Sequence, residues 1–75
     1  MSRTVEIASD VLGRLPADAE GARTIEYCVE ALLYRESWGE EVSGLSKESM
    51  ESVLKNHLRQ SGALTSAERA ELSAA

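Results

Sequence analysis

Few residues of this 75-residue chain have the reactivity for covalent chemistry: it holds one cysteine, Cys28, and one histidine, His57. A tetrahedral zinc site needs about four such ligands, and an activated thiol needs a cation or base beside it. Neither condition is met by one residue of each kind standing far apart in the chain. Both lie within apolar helical patterns, where a packed thiol and a packed imidazole are the expected occupants. Glu26 and Glu30 share a helical face but have no further groups at metal-ligand spacing, so they read as a solvated acidic face. A paired-carboxylate centre, a phosphate-cradling glycine loop and a nucleophilic triad are all missing from the pattern, so neither an enzyme nor a cofactor is predicted. The chemistry open to this chain is recognition.

The elements that must position recognising residues start with Arg3-Thr4-Val5-Glu6-Ile7-Ala8, which alternates between apolar and polar. Alternation predicts a short strand with Val5 and Ile7 on one side and Thr4, Glu6 and Ala8 on the other. A lone strand leaves its backbone donors and acceptors unpaired. The economical partner is the same strand of a second copy, which predicts a homodimer joined by a two-stranded ribbon, a device able to read the major groove. Ser9 or Asp10 then caps a short helix carrying Val11, Leu12 and Leu15, with a break near Leu15 imposed by Pro16.

A second helix is predicted over about Arg23 to Trp38, with Ile25, Cys28, Val29, Leu32 and Leu33 at i, i+3, i+4, i+7 and i+8 and Gly39 as its terminator. Tyr27 and Tyr34, seven apart, share one face and are expected to flank the core. Ser43-Gly44 reads as a hinge. Ser46 caps a third helix over about Lys47 to Gln60, with Met50, Val53, Leu54, His57 and Leu58 on one side, and Ser61-Gly62 stops it. Thr65-Ser66-Ala67-Glu68 fits a capping box, so a short fourth helix runs to about Leu72.

A chain this short buries only about 60–65% of its unfolded surface, and it has neither a disulfide nor a metal to staple it. Its net charge is −5. Residues 1–40 carry four arginines against eight acids, while residues 41–75 carry four bases against five acids. The more acidic half is the one bearing the expected ribbon, opposite to the usual electrostatics of a nucleic-acid surface. With no apolar run near the roughly 20 residues of a membrane span and no signal-peptide pattern, a cytoplasmic protein is expected.

The strand Thr4-Val5-Glu6-Ile7 followed by Gly21-Ala22-Arg23-Thr24-Ile25-Glu26-Tyr27-Cys28-Val29-Glu30-Ala31-Leu32 resembles the ribbon-helix-helix family of dimeric repressors and antitoxins, of the Arc and ParD types. The run from Gly44 to Leu54 is similar to the toxin-binding segment of some ParD-type antitoxins. The resemblance implies a mainly α fold with one short N-terminal strand: a ribbon-helix-helix dimerisation domain over residues 1–39 and a C-terminal helical partner-binding segment over 40–75. It implies that Thr4 and Glu6 face a DNA groove and that Arg3, Arg23 and Thr24 hold phosphates. It further implies an antitoxin-type regulator that neutralises a cognate toxin or other basic protein through Leu45, Met50, Val53, Leu54, His57 and Leu58, laid in a groove of that partner, and that binds its own operator DNA. Glu6 and Pro16 depart from the family pattern. Two alternatives stand beside it: a small acidic inhibitor or adaptor that binds protein and never DNA, and an all-helical domain in which Thr4-Val5-Glu6-Ile7 is the first helical turn.

Overall fold

The computed structural model describes residues 2–38 and 44–74, which form four helices: α1 (Arg3–Arg14), α2 (Ala22–Trp38), α3 (Lys47–Ser61) and α4 (Ser66–Ala74). No strand occurs among the described residues, so the expected ribbon-helix-helix architecture is overturned. The stretch from Arg3 to Ala8 opens α1, in agreement with the all-helical alternative.

The physical reason is visible in what α1 buries: Thr4, Val5, Ile7, Ala8 and Val11, a repeat of three and four residues that marks one side of a helix. Ile7 lies on that side with Thr4, Ala8 and Val11, and Val5 joins at its edge, three residues before Ala8. Ser2 supplies the cap, its hydroxyl accepting the Val5 N–H at 3.3 Å. Ser9 and Asp10, the expected caps, therefore sit inside the helix, where the Ser9 hydroxyl donates to the Val5 carbonyl at 3.1 Å. The helix ends where Pro16 requires it: Leu15 is extended (φ −91°, ψ 143°), as the residue before a proline prefers, and its N–H closes the last turn on the Val11 carbonyl. With the strand gone, the demand for a second copy to pair with it goes too.

The remaining helices follow the sequence closely. Ser46 caps α3, its hydroxyl accepting the Ser49 N–H at 3.1 Å, and Gly62 ends α3 in the left-handed region at φ 72°. Thr65 and Glu68 form the expected capping box in both directions: Oγ1 of Thr65 accepts the Glu68 N–H at 3.1 Å, and Oε1 of Glu68 accepts the Thr65 N–H at 2.9 Å. The terminator expected at Gly39 and the Ser43 part of the hinge lie outside the described residues.

α2 packs against both α1 and α3, and α1 also meets α3. Val5, Ile7, Ala8 and Val11 of α1, Ile25, Cys28, Val29 and Leu32 of α2, Met50, Leu54 and Leu58 of α3, and Leu72 of α4 form one apolar cluster. The segments 1–39 and 40–75 thus share a single core. Burial pushes the Cys28 thiol up from its ordinary pKa, which keeps it protonated and suits an inert packing group.

α4 is tied to α1 by two forked ion pairs. Arg14 donates to both carboxylate oxygens of Glu68 at 2.6 and 2.9 Å, and Arg3 donates to those of Glu71 at 2.6 and 3.1 Å. The Glu68 carboxylate thus serves the Arg14 guanidinium and the α4 cap together, and these partners hold its pKa at about 2 against an ordinary 4.5. Because the folded pKa is depressed, the stabilisation is complete above pH 4.5 and is lost as pH falls toward 2. Glu68→Gln is expected to flatten the acid limb of the stability curve in that window. At neutral pH, loss of the charged fork to Arg14 lowers the melting temperature by about 5 °C, while the glutamine amide oxygen can still accept the Thr65 N–H. Thermal melts of both proteins at stepped pH check it; parallel acid limbs would contradict this role of Glu68.

Candidate protein-binding surface

The residues expected to recognise DNA are dispersed by the fold. Thr4, assigned to a groove, is buried at 7% exposure in the side of α1 that meets the core. Glu6 stays exposed and lies 3.6 Å from the Arg3 guanidinium, which is itself engaged by Glu71. Arg23 and Thr24 both stand in the first turns of α2, but on different sides. Arg23 borders an open hollow with Ala17, Glu26, Tyr27 and Glu30, while Thr24 borders a cleft between α2 and α3. No single surface collects these five residues.

The stripe expected to bind a toxin is mostly core. Leu54 and Leu58 are wholly buried and Met50 is nearly so; Val53 and His57 are half-buried, and Leu45 alone of the set is exposed, at 41%. The stripe is amphipathic because it packs on α2 of its own chain. His57 sits at the edge of that packing, its Nδ1 3.0 Å from the Val53 carbonyl, and lines the α2–α3 cleft with Glu20, Gly21, Thr24, Gln60 and Ser61. The structure therefore brings Thr24 and His57 to one cleft, a pairing the sequence did not suggest. Gly21 belongs there for its backbone: its φ is +83°, which side chains rarely adopt, whereas a Cβ would make ordinary contact with the His57 ring at 3.6 Å.

What the fold does present is the outer side of α2. The inner side of that helix is taken by Ile25, Cys28, Val29 and Leu32. Arg23, Tyr27, Glu30 and Tyr34 follow at spacings of four, three and four, which places them along the opposite side. Tyr27 and Tyr34 are 46% and 43% exposed, although large aromatic rings usually surrender most of their area to a core. Glu26 and Glu30 flank them, both exposed, and Tyr27, Arg23, Ala17 and the two glutamates border the shallow, open hollow. Across residues 17–36 the acids are Asp18, Glu20, Glu26, Glu30 and Glu36, against Arg23 and Arg35. The arrangement offers two amphipathic rings one heptad apart in an acidic surround. The seven-residue spacing of the tyrosines was legible in the sequence; their exposure follows from lying opposite the Ile25–Leu32 side.

No protein-family model, curated protein or solved structure matches this chain. Among the described residues, no group of three or more potential metal ligands gathers, and no helix is long and apolar enough to cross a membrane.

Proposed function

We propose that this protein is a small acidic protein-binding module, an inhibitor or adaptor that docks a basic protein partner through the outer side of α2. The observation that carries the reading is the exposure of Tyr27 and Tyr34 on one face, with Glu26 and Glu30 beside them. Tyrosine gives an interface large apolar area and a polar tip at little entropic cost, and it is enriched among the residues that dominate binding energy. The surrounding acids supply the complementary potential that attracts and orients a basic surface.

This keeps the protein-binding half of the antitoxin expectation. Operator DNA is left out of the proposal, because Arg3 and Arg14 are each engaged by a glutamate and the chain carries a net charge of −5.

The test is calorimetric titration with a defined amphipathic helical peptide of lysine and leucine. The double variant Tyr27→Ala/Tyr34→Ala is expected to weaken binding at least about tenfold with little change in melting temperature. Glu6→Gln, which removes one negative charge from another helix, is expected to bind like the parent. Equal affinity of the parent and the double-tyrosine variant would contradict the proposal, since net charge alone would then explain the binding.

A further inference from the structure

α4 has only nine residues, too few to hold a helix in isolation, so its structure depends on what it docks against. Its backbone lies farther from the other helices than theirs do from one another. It is held by side chains: the Arg14 fork on Glu68, the Arg3 fork on Glu71, and Leu72 in the common core. Arg14 also donates to the Ala63 carbonyl at 3.0 Å, at the entrance to α4. The seat is therefore the two guanidiniums of α1 beside the common apolar core, matched to a helix carrying Glu68, Glu71 and Leu72. An identical α4 from another copy fits the same seat.

The connection to α3 is built to reverse. The turn closes at Gly62, whose φ of +72° is unfavourable for any residue with a side chain, and a Cβ there would meet nothing within 4 Å. Ser61 fastens the turn, donating to the Leu58 carbonyl at 2.6 Å and accepting the Ala63 N–H at 3.2 Å. Ala63, Leu64 and Thr65 follow with no proline among them. If Gly62 passes to right-handed helical geometry, nothing covalent prevents α3 from running on into α4 as one long helix. Such a helix carries α4 away from its own α1.

We propose that α4 is an exchangeable arm with Gly62 as its hinge, and that two copies trade arms to form a closed, symmetric, domain-swapped dimer. Exchange of an identical element is a low-cost route to a dimer, because each docked contact of the monomer is remade between copies. The monomer with its own α4 docked is favoured while Gly62 holds the left-handed turn and the Thr65–Glu68 capping box is intact. This inference rests on α1, α4 and the hinge, and is independent of the α2 surface.

Gly62→Ala is expected to favour the dimer. The added Cβ clashes with nothing, so its whole effect is to penalise the left-handed turn, by about tenfold per chain and on the order of a hundredfold for a dimer with two hinges. Light scattering over a concentration series reads the mass. The second arm of the test mixes two full-length variants, Arg14→Glu and Glu68→Arg. Neither pairs opposite charges within its own monomer, whereas in a swapped heterodimer both seats do.

Mixing is expected to give a 1:1 heterodimer that melts above either variant alone. The double variant Arg14→Glu/Glu68→Arg in one chain should return to the monomer–dimer balance of the parent. A Gly62→Ala protein that stays monomeric throughout the series would overturn the proposal. So would a mixture that melts as two independent components, including one in which Gly62→Ala dimerises, since the dimer would then use another surface.

Discussion

Ala8→Asp is expected to lower the melting temperature by at least about 12 °C, while Glu6→Ala melts within a few degrees of the parent. In a strand the two positions point to the same side, so substitutions at them would behave alike. In α1 they are about 200° apart around the axis. Ala8 is wholly buried beside Ile7 and Val11, and Glu6 is exposed. An aspartate at position 8 adds volume to a packed core and places an unpaired charge there, a cost of about 3–5 kcal/mol. A domain of this size has roughly 4–11 kcal/mol in total, so the substitution removes between about a quarter and all of its stability. Circular dichroism melts of the two variants check the outcome. Similar melts for both would restore the strand.

Leu54→Ala is expected to destabilise the protein by about 2–5 kcal/mol, the usual range for emptying a fully buried leucine site. Leu54 has no exposed surface and belongs to the same cluster as Ile7 and Ile25, so the loss combines transfer free energy with a cavity between α3 and α2. Urea denaturation reads this as a fall in midpoint with an unchanged slope. Below its new midpoint the variant should bind the basic peptide as the parent does, because the Tyr27–Tyr34 side lies across α2 from the cavity. An unchanged midpoint with lost peptide binding would return Leu54 to the role of a partner anchor.

Helical periodicity and caps were legible wherever the signals were long and unopposed. Ile25 to Leu33 marked α2, Ser46 marked the start of α3, and Thr65 with Glu68 marked α4. At the N-terminus the signal was shorter. Val5 and Ile7 alone fit a period of two, since residues two apart stand about 200° apart on a helix, and only by counting Thr4, Ala8 and Val11 as inward does the helix emerge. Threonine and alanine carry weak apolar signals, so their burial depends on tertiary packing that the local sequence does not display. The same kind of ambiguity left α3 open to two readings, a simple core and a partner-binding stripe. An amphipathic stripe announces that Met50, Leu54 and Leu58 need cover, but not whether it comes from the same chain or another. The two forked ion pairs between α1 and α4 were hidden for a related reason: the members of each pair stand far apart in sequence, and a charge count records them only as totals.

The measurement that bears most directly on the function is a two-dimensional amide NMR titration of the whole chain with the lysine–leucine peptide. A protein-binding role for the outer side of α2 predicts shift changes concentrated at Arg23, Tyr27, Glu30 and Tyr34, with α4 and the buried side of α3 unmoved. Shift changes spread evenly over acidic residues of all four helices, or centred on α3, would contradict it.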